Sequence, residues 1–246
     1  MGAPVATTRK RGRGGTLTRE EIIEAAVEIS TAEGPAAVSF RALGARLNVV
    51  GTALYRHFRD KDELMLALAD QIFVEIAERF TPAGDWAADL RSLAELGRET
   101  GRRHAVTLAW LGYRNTGGPG DQAVALAVLR TLLDAGLTQE QAVFHHELFT
   151  DMLMGLLTVD AMRESLDPDT RRRDDDALAA LYANLARAEP RLSRIPAIAI
   201  ATDADALFVA QIDLYIHAIR ATAAGTPIVE PTDYATPEDT SQAAGP

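Results

Sequence analysis

Residues 47–64 read LNVVGTALYRHFRDKDEL, and within seven positions of that stretch stand Tyr55, Arg56, His57, Arg59 and Lys61. This aromatic and basic crowd belongs to a chain whose formal net charge is −10. The apolar skeleton of the stretch, Leu47, Leu54, Phe58 and Leu64, marks it as folded rather than as a loose basic tail. Upstream, Ser39 is placed to cap a short helix whose Phe40, Leu43 and Leu47 recur at helical spacing. Asn48 follows as a turn residue, because Asn tolerates positive φ.

Two short helices, 39–47 and 50–57, joined by a tight turn have the spacing of a helix-turn-helix. Ala53, Leu54 and Phe58 give the second helix an apolar side to lock it onto the first. Val50, Gly51 and Thr52 lie at its exposed start, small enough to enter a major groove about 12 Å wide. Tyr55, Arg56, His57 and Lys61 supply donors for phosphate oxygens at and beyond its end. From spacing alone a second reading stays open, in which Tyr55 and His57 pack and the arginines form a solvated face.

Flanking signals extend the helical reading. Thr18-Arg19-Glu20-Glu21 is a capping box, with Leu17 and Ile22 placed as a hydrophobic staple. Ile22, Ile23, Ala26, Val27 and Ile29 continue as an apolar face until Gly34-Pro35 ends the helix. Asp60, with Glu63 three residues on, opens a fourth helix carrying Leu64, Leu68, Ile72, Phe73, Ile76 and Phe80. Beyond Gly84 the pattern predicts helices near 85–103, 104–114, 120–135, 138–163, 176–188 and 203–224. The triplets Arg171-Arg172-Arg173 and Asp174-Asp175-Asp176 cancel in charge and read as a solvated loop. Strand alternation is scarce, so the fold class is all-α. Residues 225–246, rich in Pro, Thr, Gly and Ala, read as a disordered tail.

Charge is unevenly distributed. Residues 1–61 hold ten Lys and Arg against six Asp and Glu, a balance of +4, and the remainder holds fifteen against twenty-nine, a balance of −14. A basic front on an acidic body points to a polyanion-facing module attached to one with another task. Residues 1–16, with Arg9, Lys10, Arg11 and Arg13, read as a flexible basic arm.

Residues 17–73 resemble the DNA-binding domain of the tetracycline-repressor (TetR) family of transcriptional regulators. The resemblance is carried by LTREEIIEAAVEISTAEG, then VSFRALGARLNV, then ALYRHFRDKDELMLALADQIF. It implies an all-helical homodimer with a helix-turn-helix domain over 17–63 and a ligand-binding and dimerisation domain over 64–224. By position, it implies that Ser39 and Arg41 touch the DNA backbone and that Val50, Gly51 and Thr52 face bases. Tyr55, His57 and Lys61 then hold phosphates, with Arg56 nearby. Asn48 stands where the family usually has Gly, a replacement the turn accepts. The side chains of Val50 and Gly51 offer no hydrogen bond, so Thr52, thymine-methyl contact and Arg11 or Arg13 in a minor groove carry part of the expected reading.

As in the family, helices 138–163 and 203–224 are assigned to a four-helix dimer interface. The first carries Phe144, Leu148, Met152, Leu156 and Val159, and the second Leu207, Phe208, Leu214, Tyr215 and Ile219. Burial of both within one subunit's core fits the pattern equally. A small-molecule cavity is expected from Trp110, Tyr113, Phe144, His145, Phe149, Met152, Met154 and Tyr182, which mix apolar bulk with a few polar tips. His145-His146 is an unpromising metal pair, since neighbours on a helix point about 100° apart and no third ligand is evident.

The chain has no cysteine, so thiolate chemistry and disulfides are excluded. No apolar run approaches the roughly 18 residues that span a bilayer. No Ser-His-Asp order, P-loop, Rossmann glycine pattern or metal-ligand spacing supports an enzyme. The expectation is a cytoplasmic regulator, not an enzyme, without cofactor or membrane association. Its partners are a double-stranded DNA operator, a small-molecule effector and a second copy of itself. The competing reading is a ligand-independent or architectural DNA-binding protein.

Overall fold

The computed structural model describes residues 17–112, 114–201 and 203–226. The basic arm with Arg11 and Arg13, the pocket candidate Tyr113 and the tail beyond residue 226 lie outside the described residues. Every regular element among those described is a helix: α1 (Arg19–Glu33), α2 (Phe40–Leu47), α3 (Gly51–Leu54), α4 (Lys61–Arg79), α5 (Trp86–Arg103), α6 (Ala105–Leu111), α7 (Pro119–Asp134), α8 (Gln139–Ser165), α9 (Pro168–Ala188), α10 (Ile195–Ala201) and α11 (Ala204–Ala223). The chain divides into two compact units between Leu68 and Ala69, inside α4.

In the first unit the Thr18 capping box closes as its sequence requires. The Glu21 N–H donates to Thr18 Oγ1 at 3.2 Å, and the Thr18 N–H donates to Glu21 Oε2 at 3.0 Å. Leu17 and Ile22 both enter the core, joined there by Ala26, Leu43, Leu54, Phe58 and Leu64. Ser39 caps α2 by accepting from the Ala42 N–H at 3.2 Å. Asn48 ends that helix at φ 53°, the one non-glycine residue with positive φ among those described. Helix α3 is shorter than the 50–57 expected. Its four residues give way to turns at 55–57, where the N–H groups of His57 and Phe58 both donate to the Leu54 carbonyl. Phe58 must enter the core while Asp60 already caps α4 through the Glu63 N–H at 2.8 Å. The chain therefore leaves the helical path early.

In the second unit α8 packs against α5, α6, α7 and α11, and α5 packs in turn against α6, α7 and α11. Arg98 of α5 is buried, and it is matched by charge on two neighbours. Nε donates to Asp160 of α8 at 2.8 Å, Nη1 pairs with Asp205 of α11 at 2.9 Å, and the guanidinium sits 4.4 Å above the Phe208 ring. A buried cation is tolerable only when paired in this way.

A second buried charge joins α4 to α7. Asp70 is 2% exposed, and its carboxylate accepts from Thr116 Oγ1 at 2.6 Å, the Gly120 N–H at 3.0 Å and the Asp121 N–H at 3.0 Å. The last two are donors in the first turn of α7, which lack intrahelical partners. An Asp from a neighbouring helix thus serves as their cap. The approach is tight enough that a Cβ on Gly120 would lie 2.4 Å from the Val74 nitrogen.

Two further expectations are corrected. Residues 171–176 are not a loop; they lie inside α9, which begins at Pro168 rather than 176. Asp167 caps it by accepting from the N–H groups of Asp169 and Thr170, and Pro168 suits the first helical position. The charges find partners, Arg172 with Asp169 one turn away and Asp175 with Arg163 of α8. The helix expected to reach 114 ends at Leu111, because Gly112 turns to φ 60°. Helix α10 was not anticipated.

Asp70→Ala strips the acceptor from three donors. It should lower the free energy of unfolding by about 3 kcal/mol, measured as a shift of the urea midpoint. An unshifted midpoint would show that the α4–α7 junction does not depend on this carboxylate.

Candidate nucleic-acid interface and ligand cavity

The head formed by α2 and α3 depends on close backbone approach. A Cβ on Gly44 would lie 3.0 Å from the Val49 carbonyl oxygen, and that residue's N–H donates to the Gly44 carbonyl at 2.9 Å. This fixes the turn and presents the start of α3 outward. Val50 is 72% exposed, an unusual position for a large aliphatic side chain, and Thr52 is exposed beside it.

Tyr55 is also exposed, and its ring packs on Phe40 with centroids 4.4 Å apart. Arg41, Arg56 and Lys61 are exposed, and no ion pair engages them among the described residues. Ser39 spends an acceptor on the α2 cap but keeps its hydroxyl proton. His57 is half-buried, and its carbonyl rather than its ring makes the described contact.

Arg19, counted in the sequence with the basic front, has a different position. Its guanidinium donates to the His57 carbonyl at 2.7 Å and to Glu63 Oε1 at 2.9 Å, and lies 4.1 Å over the Phe58 ring. It braces α1 against the α3–α4 junction. The Arg59 N–H and the Arg19 guanidinium both donate to Glu63 and hold its carboxyl below the usual carboxylate range.

The second unit contains a cavity of about 810 Å³, within the range of small-molecule sites. Its apolar wall includes Phe73, Ile76, Leu93, Phe149, Leu153 and Leu157, and its polar wall includes Arg114, Asn115, Gln122, His146 and Thr150. Of the residues expected there, Phe149 and Met154 line it. Trp110, Phe144, His145, Met152 and Tyr182 do not. Trp110 is instead partly exposed, with the Arg114 guanidinium 5.3 Å from its ring. Phe144 and Met152 turn to other faces of α8, and Tyr182 belongs to α9, none of which borders the cavity. The contributions of α4, α5 and α7 were missed, because small and aliphatic residues carry no signal that separates cavity wall from core.

His145 is a core residue. Nε2 lies 3.1 Å from Thr222 Oγ1 and Nδ1 3.2 Å from the Tyr215 hydroxyl. The Thr222 hydroxyl donates its own proton to the Ala218 carbonyl at 3.0 Å. The Tyr215 hydroxyl likewise donates its one proton, to the His145 carbonyl, so both hydroxyl oxygens face the ring as acceptors. Burial lowers the His145 pKa below the usual histidine range and raises that of Tyr215. Neighbouring His146 faces the cavity, so the two adjacent histidines do separate tasks.

A family model for bacterial regulatory proteins of the tetR family matches residues 22–68. The tetracycline repressor protein class C of Escherichia coli is 31% identical over 168 residues, which are 66% of this chain and 73% of that protein. The chain belongs to the TetR family. An HTH-type transcriptional repressor of Mycobacterium tuberculosis (strain ATCC 25618 / H37Rv), Rv1353c, is 31% identical over 141 residues, 54% of each chain. The chain spans about half the length of the first curated relatives it matches. Among solved structures, apo ActR of Streptomyces coelicolor superposes with a TM-score of 0.73 at 23% identity, covering 86% of this chain and 99% of that one. At that identity the likeness concerns the fold, which is the TetR-like all-helical one. ActR is also known in complex with actinorhodin. No described helix of this TetR-family chain is long and apolar enough to cross a membrane.

The lowered His145 pKa sets the sign of a pH effect. Above about pH 6.5 both folded and unfolded forms are neutral at this ring. As the pH falls below that value the unfolded chain takes the proton first, so stability is lost until the folded pKa is passed. The melting temperature should fall between pH 7.5 and 5.5, and His145→Gln should flatten that part of the profile. An equal slope in both proteins would remove the assignment.

Proposed function

We propose that this TetR-family protein is a ligand-responsive, DNA-binding transcriptional repressor. It works as a cytoplasmic homodimer, released from a palindromic operator when a small molecule fills the cavity. The observation that carries this reading is the outward presentation of Val50, Gly51 and Thr52, flanked by Tyr55, Arg56 and Lys61, on a chain that also contains an 810 Å³ cavity. Val50 and Thr52 would meet base edges and thymine methyls, and the basic and aromatic side chains would hold phosphates. No catalytic role is assigned to any residue. An architectural DNA-binding protein would have no use for the cavity, and the ActR complex with actinorhodin supports an effector site by likeness of fold.

A head with few groove contacts gains specificity by pairing two half-sites about one duplex turn apart. The proposed dimer uses the outward faces of α8 and α11. Phe208, Tyr215 and Ile219, assigned to that interface from sequence, are buried in their own subunit. The pairing face of α11 is therefore the row with Leu207 and Leu214, 51% and 71% exposed. On α8 it includes Leu148 and Val159.

Coupling runs through α4. Asp121 lines the cavity, and its N–H donates to Asp70. Asp70 belongs to the helix whose first residue is Lys61. An effector that binds this wall differently in two states can bias the position of α4.

DNA recovered from a random pool supplies the probe for gel-shift tests. Tyr55→Phe and Lys61→Ala should each weaken binding uniformly across sequences, and Lys61→Ala should reduce the slope of log K against log salt by about one. A changed base preference with unchanged affinity would reassign both residues. Leu214→Asp should give a monomer by light scattering at micromolar concentration; a dimer of wild-type affinity would place the interface elsewhere.

A further inference from the structure

Most glycines of this chain are explained by the chain itself. Among those described, six take positive φ, and Gly44, Gly97, Gly101, Gly118 and Gly120 have a neighbour so near that a Cβ would touch it. Among those described, only Gly51 and Gly155 meet neither condition. Their φ is ordinary, and an added Cβ would find no atom within 4 Å beyond the adjoining chain. Gly155 borders the cavity, where open space is expected. Gly51 is the first residue of α3, in the DNA-facing head.

The fold gives no reason for glycine at 51. Gly is a poorer helix former than Ala, α3 has just four residues, and Val50 supplies no side-chain cap. A methyl group there meets no obstacle in the chain and would reduce the freedom of the unfolded state. The remaining physical use of glycine is to let the backbone come close to another molecule. Its neighbours define the shape: Val50 is 72% exposed and Thr52 is exposed, while Gly51 between them is half-buried. The result is a notch in the outward surface, floored by the Gly51 Cα and flanked in the chain by two side chains that carry methyl groups. In the major groove the group of matching chemistry is the C5-methyl, which of the four bases thymine alone presents.

We propose that Gly51 is a specificity-determining residue: its bare Cα seats the C5-methyl of one thymine in each operator half-site, and a side chain at 51 excludes that base. The contact is apolar and involves the Cα, not the amides of α3. Val50 and Thr52 reach the base edges on either side. This rests on the reading of the head as the DNA-binding element.

The full-length protein first selects its operator from a random duplex pool. Each thymine of that operator is then replaced singly by deoxyuridine, which lacks only the methyl. At one thymine per half-site the replacement should weaken wild-type binding about four-fold. Gly51→Ala should weaken binding to the unmodified operator about ten-fold or more. Deoxyuridine at that same position should restore most of this loss, because the added Cβ takes the place of the missing methyl. The melting temperature of the Gly51→Ala protein should equal or exceed that of the wild type. Unchanged affinity of Gly51→Ala for the unmodified operator, or a loss that deoxyuridine rescues at no position, would overturn the notch and leave DNA binding by the head standing. A lowered melting temperature would overturn it as well, since the fold would then be what requires glycine. Failure of the wild-type protein to enrich any duplex from the pool would instead overturn the DNA-binding reading and this inference with it.

Discussion

Asp70 is a carboxylate taken out of water in the middle of a helix, and its charge is tolerable because three donors converge on it from one short segment. Two of them are amides that the first turn of α7 cannot satisfy within itself. The cost of burying the acid and the cost of an uncapped helix end are removed by the same hydrogen bonds. Because the glycine at 120 leaves no room for a side chain, α7 is held directly on the backbone of α4. The cavity borders this junction, with Phe73 and Ile76 from α4 and Asp121, Val124 and Val128 from α7 on its wall.

The DNA-facing head is organised on a smaller scale by the same kind of economy. Asn48 supplies the left-handed turn, and Gly44 permits the following chain to lie against α2. With the turn so constrained, a four-residue helix suffices to hold Val50 and Thr52 away from the core. Arg19 completes the arrangement from α1 by satisfying a carbonyl, a carboxylate and an aromatic face together. A basic residue in the N-terminal charge run therefore braces the head instead of extending the basic surface.

The capping box at Thr18, the Leu17–Ile22 staple and the Asp60 cap were legible in sequence, because each involves residues three to five apart and the helix itself supplies the geometry. The length of α9 was not, although its signals were present. Asp167-Pro168 is a cap followed by a favoured first helical residue, and the Arg and Asp triplets looked self-cancelling, whereas Arg172 pairs with Asp169 one turn away and Asp175 with Arg163 of α8. The cavity was the least legible feature. Its wall combines residues from α4, α5, α7 and α8 with the loop before α7, and the conspicuous side chains chosen for it, Trp110, His145 and Tyr182, have other places.

Sequence alone determined the all-helical class and the helix-turn-helix, because caps and turn chemistry act over a few residues, and the motifs of residues 17–73 carried the resemblance to the family. Tertiary structure decided which of two adjacent histidines is core and which faces the cavity, which face of α11 remains open, and what Asp70 is for. Those outcomes depend on which helix lies across from a residue, and the meeting of Asp70 with Gly120, fifty residues further along the chain, follows from how the whole unit packs.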